Sequence, residues 1–149
     1  MLEKLILGAN NARGRHGPIF AVTRYGNVAG STGSVIPNWR RVIDGHATEI
    51  TLTDPLATRF WMTLQEAINL VVNTAKVMEG GELVIPDLPA YQLGDLIHAM
   101  GIHPLDTSWR ITGLGPGEKL HERMREDGPD SSQVRRMTVD ELREALKSV

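Results

Sequence analysis

"RYGNVAGSTGSVIP", residues 24–37, places three glycines between an apolar run at 19–22 and a segment of helical character. A strand, a glycine-rich turn and a helix in this order is how dinucleotide-binding folds hold a pyrophosphate. The spacing here is Gly26-x-x-x-Gly30-x-x-Gly33, whereas the dinucleotide fingerprint is Gly-x-Gly-x-x-Gly with an acidic residue about 20 positions later. The mismatch favours a structural turn, and we expect the primary cofactor loop to lie elsewhere.

Composition narrows the class of protein. The 149 residues suffice for one domain with a buried core. With 16 basic and 18 acidic side chains, the formal charge of -2 gives no reason to expect nucleic acid or an anionic membrane as partner. The lack of cysteine excludes disulfides and thiolate catalysis. No run is apolar enough for a signal peptide or a membrane span, so we expect a cytoplasmic location.

Alternating helical and extended patterns indicate an α/β fold. Helices are predicted at about 34–43, 63–77, 93–100 and 138–147, and strands at 19–25, 49–55, within 80–89 and from 108 onward. Capping boxes begin at Thr63 and Thr138. Residues 123–136 are polar and turn-rich, which is typical of a mobile loop.

Two further helical patterns carry expectations about burial. The N-terminal segment has apolar residues at helical spacing, namely Leu2, Leu5, Ile6 and Ala9, with Gly8, Asn10 and Asn11 closing it. In the helix after Thr63 the predicted buried face consists of Ala67, Leu70, Val71, Thr74 and Val77.

Few residues carry a specific chemical signal by themselves. His121-Glu122 begins like a zinc helix, but position 125 is Arg, so the second histidine of H-E-x-x-H is absent and no metal site is expected. Arg59 fits either a salt-bridged structural residue or an anion clamp, because its planar fork suits phosphate. Glu118, after the glycine loop at 113–117, fits either a solvated helix start or an acceptor for two sugar hydroxyls.

Four segments taken in order resemble one family: "RYGNVAGSTGSVIP", "LTDPLATRFWMTLQEAINLV", "GGELVIPDLPAYQLGDL" and "GLGPGEKLHE". They are similar to the second half of UDP-N-acetylglucosamine 4,6-dehydratases, which are extended short-chain dehydrogenase/reductases. The resemblance implies a partial Rossmann-like fold, the C-terminal substrate-binding portion, with short parallel strands and flanking helices. It covers residues 1–122 as a substrate-binding domain, with 123–149 as a mobile polar loop and C-terminal amphipathic helix of the same domain.

The resemblance also implies a set of binding residues. Asn27 would contact the sugar, Arg59 the diphosphate and Glu118 the ribose of a UDP-sugar. A wall beside the NADP cofactor would be formed by Val28, Ala29, Gly30, Ser31 and Thr32. Thr32 and Gly115 stand where the family usually has arginine, so we expect the UDP-sugar to bind weakly.

The family's catalytic pair is Tyr-x-x-x-Lys, in which the lysine lowers the pKa of a phenol that takes a hydroxyl proton. Neither candidate fits, because Ala29 follows Tyr25 and Asp95 follows Tyr91 at the fourth position. The family's phosphate loop also has no counterpart in these residues. We therefore expect no catalytic residue, no cofactor held by the isolated chain, and no catalysis by it alone.

Three functional hypotheses follow. The first is a nucleotide-sugar (UDP-N-acetylhexosamine) binding domain that is not catalytic alone. The second is a non-catalytic interaction or oligomerisation module that has reused the fold, and the third is an independent nucleotide-binding enzyme built on the loop of residues 26–33. Because an apolar strand at 19–22 and the N-terminal helix would be open, we expect a homo-oligomer or a complex with a separately encoded Rossmann half.

Overall fold

A computed structural model describes residues 2–14, 16–102 and 108–149. Five α-helices are assigned within these residues: α1 Leu2–Ala12, α2 Val35–Ile43, α3 Leu64–Val77, α4 Leu93–Ala99 and α5 Val139–Ala145. Six strands accompany them: β1 Val22–Thr23, β2 Glu49–Leu52, β3 Thr58–Phe60, β4 Leu83–Val84, β5 Ala90–Gln92 and β6 Ser108–Ile111. The chain divides into two compact units, residues 1–25 with 65–87 and residues 26–64 with 88–149.

In the first unit, β1 and β4 pair in parallel, and the end of α1 is tied to the chain before β1. The side-chain amide of Asn10 donates to the carbonyl oxygen of Phe20 at 2.8 Å and accepts from its backbone N–H at 2.9 Å. Gly80 lies against this amide, and a Cβ there would come within 2.6 Å of Asn10 Oδ1. A glycine is therefore needed for the close approach.

The strand predicted at 19–25 is shorter than expected, since only Val22–Thr23 is assigned as strand. The backbone of Phe20 already has its partners within the unit, because Asn10 takes both polar groups and the Gly81 N–H also donates to the Phe20 carbonyl at 2.8 Å. The apolar residues at 19–22 are half-buried. Their side chains are therefore partly covered within the unit, whereas the sequence predicts an open apolar face.

Helix α3 matches its predicted extent, but its predicted buried face is only partly correct. Ala67 and Thr74 are buried, whereas Val71 is 45% and Val77 is 77% exposed. Strands β1 and β4 have two residues each, so the first unit offers little sheet surface to cover an apolar helix face.

The second unit contains a larger core. Strands β2 and β6 pair in parallel and β3 and β5 antiparallel, and helices α2, α4 and α5 pack around them. Along β2 the side chains alternate, with Ile50 and Leu52 buried and Glu49 and Thr51 exposed, as expected for a strand with one covered face. The remaining core is Ile36, Trp39, Ala57, Trp61, Tyr91, Leu93, Leu96, Ile97, Ala99, Ile102, Met137, Leu142 and Leu146.

Helix α2 begins after Ser34, as the sequence predicts, and it holds the end of the chain through Arg40. The Arg40 guanidinium donates to the carbonyl oxygens of Val149 at 2.7 Å and Leu146 at 3.0 Å. Because the last carbonyls of a helix lack intrahelical partners, this arginine satisfies the final 3₁₀ turn, Leu146–Ser148.

Residues 123–149 belong to the same compact unit as 88–122. The sequence predicts a mobile loop at 123–136, whereas the structure has turns anchored by Ser131, whose side chain is buried. The predicted capping box at the start of α5 is confirmed, because Thr138 and Glu141 exchange backbone and side-chain hydrogen bonds. Leu142, on the apolar face of this helix, is fully buried.

The predicted α/β class is confirmed, with short strands, two of the three pairings being parallel, and flanking helices. Helix α4 ends as predicted, with Gly101 at a φ of +73° just beyond it. Within the described ranges, no helix combines the length and apolar character needed to cross a membrane.

Candidate functional site

A cleft of about 230 Å³ opens in the second unit. It brings together Asn27, Arg59 and Glu118, the three residues for which the family resemblance implies substrate binding. The other residues that line it are Val28, Ala29, Gly33, Ser34, Val35, Ile36, Thr53, Tyr91 and Leu93. Four separate parts of the chain, at 27–36, 53–59, 91–93 and 118, therefore meet at one cavity.

The loop before α2 is fixed to the chain after β3. Val28 forms a parallel bridge with Met62, and the Ala29 N–H donates to the Met62 carbonyl at 2.8 Å. A Cβ at Gly26 would come within 2.8 Å of the Phe60 Cβ, so glycine permits this approach. The attachment leaves the exposed Asn27 at the cleft wall.

The glycines of this loop serve close backbone approach and turning. Gly30 has a φ of +75°, and a Cβ there would come within 2.4 Å of Val149 Cγ1. Gly33 has a φ of +80° and open space beside it. Among the described residues, Gly30, Ser31 and Thr32 do not line the cleft, whereas Val28 and Ala29 do. Val28 and Ala29 could border NADP, but the covered Gly30 offers no pyrophosphate cradle, so the fit to the cofactor is partial.

Arg59 lies on β3 with a side chain only 12% exposed, and its own chain fixes the guanidinium. Nη1 donates to the carbonyl oxygens of Thr58 at 2.8 Å and Leu120 at 3.2 Å. Nε lies 3.5 Å from Glu122 Oε1. Since these contacts immobilise the side chain, little further ordering is needed for it to meet an anion.

Two neighbours of Arg59 have raised pKa values. Burial raises the pKa of the Glu122 carboxyl, and the Arg59 charge and the Phe60 N–H oppose this effect. Burial likewise raises the pKa of Tyr91, so its hydroxyl stays protonated at neutral pH. The Tyr91 ring meets Trp61 edge-on, with centroids 5.5 Å apart, and contributes an aromatic part of the cleft wall.

Glu118 closes a tight turn at the rim of the cleft. Its N–H donates to the Gly115 carbonyl at 3.0 Å, and its Oε2 accepts from the Gly115 N–H at 2.9 Å. A Cβ at Gly115 would lie 3.5 Å from Glu118 Oε2, which is ordinary contact. The position therefore has room for a side chain.

Of the lining residues that sequence reasoning did not assign to the site, Ser34 and Tyr91 bear most on its chemistry. The Ser34 hydroxyl is buried and has no hydrogen-bond partner among the described residues, and it does not cap α2. A serine before a helix usually predicts such a cap, so the sequence offers no sign of an unused hydroxyl. Tyr91 lies within a short apolar run and has no distinguishing pattern.

His121 takes part in a hydroxyl contact, with Nδ1 2.8 Å from Thr58 Oγ1. Across the described part of the chain, no cluster of three or more His, Cys, Asp or Glu side chains could hold a metal ion.

Comparison with known proteins identifies relatives. Residues 1–141 match the family described as "Polysaccharide biosynthesis protein". The UDP-N-acetylglucosamine 4,6-dehydratase (inverting) of Campylobacter jejuni subsp. jejuni is 43% identical over 122 residues, which cover 82% of this chain and 36% of that protein. The chain thus spans little more than a third of that relative's length.

Two solved structures share the fold. The X-ray structure of Pen from Bacillus thuringiensis superposes with a TM-score of 0.85 at 31% identity, covering 99% of this chain and 54% of that one. The dTDP-glucose 4,6-dehydratase of Bacillus anthracis str. Ames, in complex with NAD, gives a TM-score of 0.60 at 16% identity, covering 96% and 47%. The family match extends over most of the chain, past the 122 residues that the sequence motifs cover, and the chain belongs to the polysaccharide biosynthesis protein family.

Proposed function

We propose that the cleft binds a UDP-N-acetylhexosamine and supplies substrate contacts for 4,6-dehydration in polysaccharide biosynthesis. The observation that carries the proposal is the meeting of Asn27, Arg59 and Glu118 at one cavity. A relative named UDP-N-acetylglucosamine 4,6-dehydratase supports this choice of ligand. A cytoplasmic location is part of the same proposal.

The chemistry of the cleft suits such a ligand. Arg59 carries the positive charge that a diphosphate requires, and charge-assisted contacts to phosphate are strong. The Asn27 amide both donates and accepts, as sugar hydroxyls require, and the Glu118 carboxylate accepts from ribose hydroxyls. The Ser34 hydroxyl, which has no partner in the described part of the chain, adds a buried donor, and buried polar groups normally have a partner.

These residues bind and orient but do not complete the chemistry. No Tyr-x-x-x-Lys pair occurs in the sequence, so no phenol is activated to take a proton from the sugar. NADP, where bound, would take and return a hydride, and Val28 and Ala29 are the residues that would border it. The isolated 149-residue chain, incubated with UDP-N-acetylglucosamine and NADP, should therefore give no 4-keto product above a protein-free control.

Calorimetry of UDP and UDP-N-acetylglucosamine tests the proposal. Replacement of Arg59 by Ala should weaken binding about tenfold or more, because one charge-assisted contact contributes roughly 1.5 to 3 kcal/mol. Arg110→Ala is the matched control, since Arg110 is exposed, pairs with Glu49 and does not line the cleft. Gly115→Arg should strengthen binding. Equal affinity of wild type and Arg59→Ala would contradict the proposed site, and no binding by either protein would favour an interaction module.

A second candidate function is assembly, and exposed apolar side chains of the first unit favour it. Leu2 and Leu5 on α1 are 70% and 72% exposed. On α3 the residues Ile68, Val71 and Val72 are exposed at helical spacing. We propose that a second copy of the chain covers these faces, because exposed apolar surface on a helix marks an interaction site. A separately encoded Rossmann half is the alternative occupant.

Light scattering on a sizing column tests the assembly. The expected species at micromolar protein is a homodimer or larger, and the double variant Leu5→Glu with Ile68→Glu should shift it to monomer. Leu56→Glu is the control, because Leu56 is 62% exposed but belongs to the second unit. A monomeric wild type would contradict the assembly, while a wild type that associates only with an added Rossmann half would favour that alternative.

A further inference from the structure

The buried hydroxyls of Thr58, which is next to Arg59 in the chain, and of Ser131 form a hydrogen-bonded cluster with the imidazole of His121. The Thr58 Oγ1 is 2.6 Å from Ser131 Oγ and 2.8 Å from His121 Nδ1. The Ser131 hydroxyl also donates to the Thr58 carbonyl at 3.1 Å and accepts from the Glu122 N–H at 2.8 Å. Thr58 and Ser131 are each only 1% exposed.

One assignment of protons satisfies the whole cluster. A serine hydroxyl has one donor and two acceptor sites. Ser131 therefore donates to the Thr58 carbonyl and accepts from both the Glu122 N–H and the Thr58 hydroxyl. Thr58 Oγ1 then accepts from His121 Nδ1–H. Because every group has a partner, removal of the Ser131 hydroxyl leaves several buried polar groups without one.

The same backbone segments hold Arg59. Its Nη1 donates to the carbonyls of Thr58 and Leu120, and the Thr58 N–H itself donates to the Leu120 carbonyl at 2.9 Å. The Glu122 carboxylate lies beside Arg59 Nε, while the Glu122 backbone is held by Ser131. Ser131 thus ties together the two segments whose carbonyls and carboxylate orient the guanidinium.

We propose that Ser131 is a positioning residue for Arg59, and that residues 123–136 thereby tune nucleotide affinity without lining the cleft. This inference rests on the proposed nucleotide-sugar function. Ser131 is not among the residues that line the cleft, so its effect on binding would pass through Arg59. Residues 123–136 would then help to orient Arg59, a role that their polar composition does not indicate.

A four-protein cycle tests the coupling: wild type, Ser131→Ala, Arg59→Ala and the double variant, each titrated with UDP up to millimolar concentration. Ser131→Ala should weaken binding roughly threefold to tenfold in the wild-type background and leave it unchanged in the Arg59→Ala background, because coupled residues are non-additive. Ser132→Ala is the control, since Ser132 is exposed and its hydroxyl donates to the side chain of Asp130. Equal weakening in both backgrounds, or none in wild type, would overturn the proposal.

A second readout needs no ligand. Nitrogen-15 NMR of arginine side chains should give an ordered Arg59 Nε–H signal that is lost in Ser131→Ala and kept in Ser132→Ala. Arg40, held by Leu146 and Val149, is the internal reference for general loosening. Thr58→Val should broaden the Arg59 signal, and Thr58→Ser, which keeps the hydroxyl, should restore it. An unchanged Arg59 signal in Ser131→Ala overturns the positioning role, whereas failure of wild type to bind UDP overturns only the proposed function.

Discussion

Glu122 lies 3.5 Å from Arg59, yet burial raises the pKa of its carboxyl because the loss of hydration outweighs the attraction of the guanidinium. In partly buried ion pairs the desolvation penalty of the two charges often exceeds the attraction between them. The pair therefore orients Arg59 at some cost in the free energy of unfolding. At the scale of single residues, Arg59 is held in place by a carboxylate, Glu122, whose charged form is disfavoured by its burial.

This imbalance predicts a pH dependence of stability. Above the ordinary glutamate pKa of about 4.3, the folded protein binds more protons at Glu122 than the unfolded chain does, so its free energy of unfolding falls as pH rises through the raised pKa. Glu122→Gln does not titrate. Its stability relative to wild type should therefore be lowest near pH 4, rise with pH and level off towards neutrality.

Urea unfolding at pH 4 to 7.5 measures this difference, with Glu144→Gln as the control because Glu144 is exposed and pairs with Lys147 on the surface. A stability difference that stays constant with pH, or that falls as pH rises, would be inconsistent with a raised Glu122 pKa.

At the scale of elements, the sequence predicted those features of helices and strands that depend on residues close together in the chain. The capping box at Thr138, the glycine after α4 and the alternation of β2 each depend on neighbours within a few residues. The length of β1 depends on the side chain of Asn10, which is distant in sequence and takes the backbone groups of Phe20. The residues at 19–25 give no sign that the Asn10 side chain bonds this backbone, so the sequence predicts a longer strand than the structure has.

The loop between Val28 and α2 offers a prediction on elements. Gly30→Ala places a side chain at positive φ and against Val149, whereas Gly33→Ala meets the same backbone strain in open space. Gly33→Ala should cost roughly 1 to 2 kcal/mol, and Gly30→Ala about 1 kcal/mol more from overpacking. Thermal or urea unfolding measures both, and Gly30→Ala combined with Val149→Ala should return to the Gly33→Ala value. Equal costs for the two single variants would mean that the contact with Val149 contributes nothing.

At the scale of the whole molecule, the site could be anticipated only through resemblance. Asn27, Arg59 and Glu118 are separated by dozens of residues, and no spacing rule joins them. The fold brings them to one cleft, and it adds Ser34 and Tyr91, which no sequence signal identified. All of these residues belong to the unit of residues 26–64 and 88–149, so the binding account can be tested within that unit.

The most direct measurement is an assigned nitrogen-15 NMR titration of the chain with UDP-N-acetylglucosamine. Shift changes should cluster at the Asn27 side-chain amide, the N–H groups of Val35 and Ile36, and the signals of Arg59 and Glu118. The apolar groove of the first unit, lined by Leu70, Thr74, Val77 and Val84, should stay unchanged. No shift at millimolar nucleotide, or shifts gathered around that groove, would contradict the proposal that the cleft of Asn27, Arg59 and Glu118 binds a nucleotide sugar.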